Sequence, residues 1–516
     1  MTSSLVKVSP VKLLFSIGLI CLTVLGALSV FEARMGVRAT LSNEIYGLFL
    51  PPDFSDILVL LRAFLETLNI AIAGTTIGFF GALVFVSAIF HLRSGVVRLV
   101  RVPIWLARGM PDVVLVVILL QVIGVGPITG MTALAFGTFG VSGMLIANSF
   151  ASRDTSAEQG LLLGGMSRLR LALRVIVPGL AKDLFSQLLF RIEVNFRIAV
   201  VLGLIGGGGL GLLLDTWLGV MEYQKASSVI IAIAVFLFSG EHLTKLLFSL
   251  LDGTISARSG IPKIRWSSFV LIIWAFVFLV YAVAQNQNRF SGEQASLLVA
   301  ALLKPDFIGQ SDGLFSGLVL TGTLAAAAAG AAFPTAMVLG VLSSRSGLRF
   351  PRFASSVRQI LALARSLPIA VLSVMLVIPL GLGTYTAFLA MWIGGSLFLA
   401  RIVADLLDSS SQAFVDTISL SGAGRLRLLV FLIAENRKKL RDLWFFSLDY
   451  LFRYAVILGI LGSGGLGTVI LNAIRVQDIG TVSAATILIV AVIGALEFLQ
   501  NLGKRTLSGK IEARLG

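Results

Sequence analysis

The chain has 516 residues, 57% hydrophobic and 13% charged, with a mean hydropathy of +0.97 and a net charge of +15. Soluble domains run to about 45–50% apolar and about 25% charged residues, so no soluble core absorbs this much apolar surface. Long apolar runs recur along the whole length, which points to a polytopic α-helical membrane protein and away from a barrel of alternating segments of about 10 residues. The single cysteine, Cys21, allows no intrachain disulfide, and no Cys/His spacing suggests a metal site.

Six apolar spans are expected in the first half, near 11–31, 58–90, 98–123, 128–151, 182–205 and 226–250. The first is long enough to cross a bilayer and is read as a retained helix rather than a cleaved leader. The second is too long for an upright span, so its start, with Arg62 and Glu66, is expected in the interface. Six more are expected near 266–285, 314–343, 358–382, 384–407, 441–462 and 479–500. Basic residues concentrate in alternate loops: Arg93, Arg98 and Arg101; Arg153, Arg168, Arg170 and Arg174; Lys245, Arg258 and Lys263; Arg345, Arg349 and Arg352; Arg425, Arg427, Arg437 and Lys438. That distribution is topological, not a nucleic-acid footprint, and it predicts that both termini and all the basic loops are cytoplasmic.

The halves are repeats. Residues 197–211 read RIAVVLGLIGGGGLG and residues 453–467 read RYAVILGILGSGGLG, identical at ten of fifteen positions at an offset of 256. The flanking landmarks also pair: Gly74 with Gly330, Arg108 and Pro111 with Arg365 and Pro368, and Gly165 and Arg168 with Gly422 and Arg425. The expectation is an all-α membrane protein of two parallel six-helix repeats, about 12 transmembrane helices. Residues 1–255 and 256–516 form the two units, related by a pseudo-two-fold axis along the membrane normal.

Three elements stand out within each repeat. Between the fourth and fifth spans, a segment mixes apolar and basic residues around a glycine break, which suits a short helix, a turn and a second helix outside the bilayer. Such an element either docks in a groove of a soluble partner or anchors on anionic lipid. Its recurrence in both halves favours docking. The fifth span carries Arg191, Glu193, Asn195 and Arg197, then Gly206, Gly208, Gly209 and Gly211. The second copy carries Asp449 and Arg453, then Gly462, Gly464, Gly465 and Gly467. Glu193/Arg197 and Asp449/Arg453 are spaced for intrahelical ion pairs. Two readings stand: pairs that merely let the helix insert, or cations beside the axis that attract an oxyanion or hold a gate. The glycine turns lack the strand of a dinucleotide-binding unit and are read as backbone flexibility or close helix approach at the outer face. The third element, Arg108-Gly109-Met110-Pro111-Asp112 and its echo at Arg365–Ile369, puts a proline inside an apolar run.

These elements resemble the permeases of ABC importers. The cytoplasmic segment looks like the family's EAA loop: Gly165, Ser167, Arg168 and Pro178 match its Gly-Ala-Ser-Arg and terminal proline, while Gln159 and Asp416 replace the leading glutamate. Ala434 and Glu435 stand where a second proline is expected. The run from Arg191 to Gly211 resembles the phosphonate-type branch. The resemblance implies the type I importer permease fold (MetI-like) and ATPase coupling through Gln159, Gly165, Ser167, Arg168, Pro178, Asp416, Gly422 and Arg425. It implies a translocation pathway or gate at Arg191, Glu193, Asn195, Arg197, Asp449 and Arg453. It also implies two ABC ATPase subunits, an extracytoplasmic substrate-binding protein, and a small oxyanion (phosphonate, phosphite or phosphate) moved across the bacterial inner membrane. No G-x-x-x-x-G-K-[ST] occurs, so no cofactor is expected on this chain, ATP and Mg belonging to the partner. The alternatives are an ABC permease for methionine or thiamine and a twelve-helix secondary carrier.

Overall fold

A computed structural model describes residues 49–89, 102–151, 160–161, 164–165, 171, 177–255, 296, 300, 304–345, 351–410 and 424–515. Contacts divide the chain into two compact units, one of Tyr46–Val299 and one that carries Ala300–Gly516. Every regular element among the described residues is a helix. Seven are long and apolar enough to cross a membrane, or up to nine if each of two bent pairs is one span. The expected spans 11–31 and 266–285 lie outside the described residues.

In the first unit, α1 (Ile57–Ile89) is one continuous helix with Arg62 and Glu66 in its first three turns. Its 33 residues reach about 50 Å, more than the ~30 Å of a hydrocarbon core. The expected span 98–123 is two helices, α2 (Val102–Gly109) and α3 (Asp112–Ile123). Pro111 stands between them in extended conformation (φ −64°, ψ 133°), with no N–H to continue the ladder. After α4 (Pro127–Ala151) comes α5 (Val177–Leu202). A wide turn, Gly203–Gly207, then leads into α6 (Gly209–Gly219) at a bend of 47°, and α7 (Tyr223–Ile255) follows.

The second unit repeats this order with α8 (Ser311–Ser343), α9 (Pro351–Ala364), α10 (Ile369–Leu380) and α11 (Thr384–Asp408). The helices flanking Pro368 meet at 71°. Next are α12 (Arg425–Glu435), α13 (Arg437–Leu458), a wide turn Gly459–Ser463, α14 (Leu466–Arg475) and α15 (Ile479–Leu515).

Residues 206–225 and 463–478, expected as loops, are mostly helical. The glycines break the span instead of ending it, because the residues beyond them still bury an apolar face: Leu210 and Leu214 in α6, Leu466 and Ile470 in α14, all 0% exposed. The two breaks share one backbone. Gly206 and Gly462 sit at φ 104° and 101°, and Gly209 and Gly465 at 71° and 79°, values that glycine alone adopts readily. A methyl on Gly203 would stand 2.8 Å from the Gly211 Cα, and one on Gly459 2.9 Å from the Gly467 Cα.

A helix that restarts inside an apolar bundle exposes N–H groups with no intrahelical acceptor. The Leu210 N–H donates to Thr67 Oγ1 at 2.8 Å, and the Leu466 N–H to Thr321 Oγ1 at 2.9 Å. Each hydroxyl in turn donates one turn back, Thr67 to the Ala63 carbonyl and Thr321 to that of Gly317. Thr67 and Thr321 are therefore equivalent, 254 residues apart. The pairing of Gly74 with Gly330 is two residues out of register, because the offset of 256 belongs to the fifth span and not to α1 and α8.

Gly211→Ala and Gly467→Ala, which drive a methyl into the backbone of the preceding turn, are each expected to cost about 1–3 kcal/mol. Gly322→Ala, with open space around the added carbon, is expected to be neutral or stabilising by up to ~1 kcal/mol. Thermal unfolding of the detergent-solubilised chain separates the two outcomes.

Candidate functional site

Gln187, Arg191 and Asn195 recur every four residues and so share one face of α5. They meet Thr138 and Ser149 of α4, and Ser142 lies between those two on the same helix. Gln187 Nε2 donates to Ser149 Oγ at 2.8 Å, and Arg191 Nη2 reaches Thr138 Oγ1 at 3.4 Å. Asn195 Nδ2 donates to Thr138 Oγ1 at 2.8 Å and to Thr75 Oγ1 of α1 at 2.7 Å. Thr75, Thr138, Ser142 and Asn195 are fully buried, and Arg191 is 6% exposed.

Asp112, the first residue of α3, packs over Gly137, where any Cβ would collide with its carboxylate, and stands within electrostatic reach of Arg191. The break at Pro111 thus starts α3 with an acid, packed against Gly137 of α4. The ladder remains incomplete. Ser142 Oγ, Gln187 Oε1, Arg191 Nε and Asn195 Oδ1 are buried without a hydrogen-bond partner. Native proteins rarely leave such atoms unpaired, and four of them lie along this one seam.

The same seam in the second unit is apolar. On α13, Leu443, Ser447 and Leu451 stand where Gln187, Arg191 and Asn195 stand on α5. On α11, Gly395, Leu399 and Leu406 replace Thr138, Ser142 and Ser149. Ala329 replaces Thr75 and Ile369 replaces Asp112, with Ile369 against Gly394 as Asp112 is against Gly137. Leu451 Cδ2 would be 3.1 Å from a Cβ on Gly395, and Leu399 and Leu451 are fully buried. Ser447 Oγ donates to its own helix at the Trp444 carbonyl, 2.7 Å away.

Both expected ion pairs form. Arg197 Nη2 is 3.7 Å from Glu193 Oε1, and Arg453 Nε is 3.2 Å from Asp449 Oδ2, all four side chains being partly buried. Of the coupling residues, Gly165 lies in a turn at φ 85°, Pro178 in the first turn of α5, and Arg425 at the start of α12. Gln159, Ser167, Arg168, Asp416 and Gly422 lie outside the described residues. In the second unit α12 and α13 join through Asn436 alone, whose Nδ2 donates to the Leu432 carbonyl at 3.0 Å and to Ser410 Oγ at 2.9 Å. Ala434 and Glu435 close α12 without a proline.

An all-helical bundle with membrane-length spans, broken helices and a buried charged seam has the architecture of a membrane permease. Residues 74–257 match the family of binding-protein-dependent transport system inner membrane components. The chain is a multi-pass inner membrane protein and a transport subunit, the ATPase being a separate subunit. It is 27% identical to the phosphate-import permease protein PhnE of Mycolicibacterium smegmatis over 90% of this chain and 87% of that one. It is also 27% identical to the phosphite transport system permease protein PtxC of Stutzerimonas stutzeri, over 44% of this chain and 83% of the relative. Among solved structures, a chain of the MetNI methionine ABC transporter aligns with 38% of this chain and 98% of its own length, at 15% identity and a TM-score of 0.30.

Thr138 accepts from both Arg191 and Asn195, so Thr138→Val strands two buried donors. It is expected to destabilise the detergent-solubilised chain by about 1–3 kcal/mol. Leu399→Ala, at the place in the second unit that Ser142 holds in the first, breaks no hydrogen bond and leaves a cavity worth about 2–5 kcal/mol. A Thr138→Val chain with wild-type unfolding would mean that the ladder contributes nothing to folding.

Proposed function

We propose that this chain imports phosphonate or a related phosphorus oxyanion, phosphite or phosphate, as the permease of an ATP-driven transporter. The observation that carries the proposal is a buried arginine, Arg191, on a broken span of a permease whose relatives are named for phosphate and phosphite transport. A cation at membrane depth is costly and is retained where it serves an anion or a gate. Arg191, Glu193, Asn195, Arg197, Asp449 and Arg453 form the pathway or its gate. The glycine breaks after α5 and α13 supply the flexibility for alternating access.

In this reading the chain holds two parallel six-helix repeats, residues 1–255 and 256–516, and replaces the usual pair of permease subunits. Both termini are cytoplasmic. Two ATPase subunits dock on the segments near 153–178 and 410–440, through Gln159, Gly165, Ser167, Arg168 and Pro178 and through Asp416, Gly422 and Arg425. A substrate-binding protein delivers the oxyanion to the opposite face. The family match favours an ATPase-driven importer over a secondary carrier.

Reconstitution of the chain with its ATPase subunits and binding protein in proteoliposomes tests the substrate. ATP-dependent uptake of methylphosphonate, phosphite or phosphate is expected. Uptake of methionine or thiamine in their place contradicts it. The double variant Arg168→Glu, Arg425→Glu is expected to weaken ATPase copurification about tenfold or more, since each reversal sets like charges together in a docking groove. Undiminished copurification contradicts the coupling assignment.

A further inference from the structure

We propose that the α4–α5 seam of the first unit is a binding site for one protonated phosphorus oxyanion, with Arg191 supplying the charge and Asn195 accepting the P–O–H hydrogen. The proposal rests on the importer reading above and locates its substrate on one unit only.

The unpartnered atoms define the missing group. Arg191 Nε is an unused donor on a residue that is 6% exposed. Asn195 Oδ1 and Gln187 Oε1 are unused acceptors on either side of it along α5, and Ser142 Oγ of α4 is likewise buried and unpartnered. A bare anion satisfies the donor and leaves the acceptors unpaired. An apolar ligand satisfies neither. A tetrahedral oxyanion that keeps one hydroxyl offers acceptors to Arg191 and a donor to Asn195. Sulfate, which carries no proton at neutral pH, leaves both acceptors, Asn195 Oδ1 and Gln187 Oε1, unpaired and is refused. A site built around buried hydrogen-bonding groups rejects an analogue that leaves them unpaired.

The second unit serves as an internal control. It keeps the fold of the seam, the glycine break and the threonine cap, and it replaces every polar member of the ladder by Leu, Ile, Ala, Gly or a self-bonded serine. Helix packing at this seam therefore needs no polar ladder. Because Asn195, Thr138 and Ser142 are fully buried, the site is occluded as it stands, and an anion enters only when α4 and α5 part.

The test is thermal unfolding of the detergent-solubilised full chain with methylphosphonate, phosphate or sulfate, since a ligand that binds the folded chain raises its midpoint. A rise with methylphosphonate and phosphate but not sulfate is expected. Asn195→Leu, which installs the second unit's residue, is expected to weaken the apparent affinity by about tenfold or more, and Ser447→Ala to leave it unchanged. An equal rise with sulfate overturns the proposal, as does a wild-type chain that none of the three stabilises, whose orphan atoms then hold only water. If Asn195→Leu does not fold, the comparison of sulfate with methylphosphonate on the wild-type chain decides alone. ATP-driven phosphonate uptake without a methylphosphonate-dependent rise removes the seam site and keeps the importer reading. Failure to take up any phosphorus oxyanion removes the importer reading itself.

Discussion

A polar group inside a bilayer has no water to turn to, and that constraint governs both units. Each must break a span, because a bend follows the fifth expected helix, and each break frees backbone donors. The solution is the same twice: a threonine one helix away, Thr67 or Thr321, turns its hydroxyl to the first leucine of the restarted helix. The glycines permit the bend, and the threonines make it tolerable in an apolar surrounding. In the first unit a carboxylate adds to the cap, Glu66 Oε1 accepting from the Gly209 N–H at 2.9 Å, where the second unit has Leu320 against Gly464.

The same constraint makes the contrast between the seams informative. Where the second unit fills the contact of α11 and α13 with leucine, the first fills that of α4 and α5 with Gln187, Arg191, Asn195, Thr138 and Ser142 and leaves four atoms unpaired. Apolar packing would serve stability at least as well, since replacing buried polar networks by hydrophobic residues is often neutral or favourable. The two units thus share a helix order and a glycine break and differ in the chemistry of this seam. The ion pairs Glu193–Arg197 and Asp449–Arg453, present in both units, belong to the shared framework.

Much of this was legible in the residues. The membrane class follows from composition and long apolar runs, the two ion pairs and the recurring glycine motif follow from spacing, and Pro111 and Pro368 announced the breaks they cause. The partners of Arg191 and Asn195 did not. Thr138 and Thr75 are single hydroxyls in apolar runs, 57 and 120 residues from Asn195, with no periodicity to mark them. Gln187 was readable as the next member of a four-residue stripe with Arg191 and Asn195. The helices α6 and α14 were read as loops because glycine usually ends a helix, whereas here leucines beyond the break keep it buried. The offset between repeats also changes along the chain, from 254 at Thr67/Thr321 to 257 at Pro111/Pro368, so a register taken from one motif misplaces glycines in another.

The central claim is that the polar seam of the first unit opens to ligand during transport. It is tested most directly by Ser142→Cys in a chain whose only cysteine, Cys21, is replaced by serine, assembled with its ATPase subunits and binding protein. The account predicts that a water-soluble thiol reagent modifies Cys at this position only during ATP turnover, and that methylphosphonate protects it. A thiol that stays unreactive throughout turnover, in a transporter shown to be active, would contradict it.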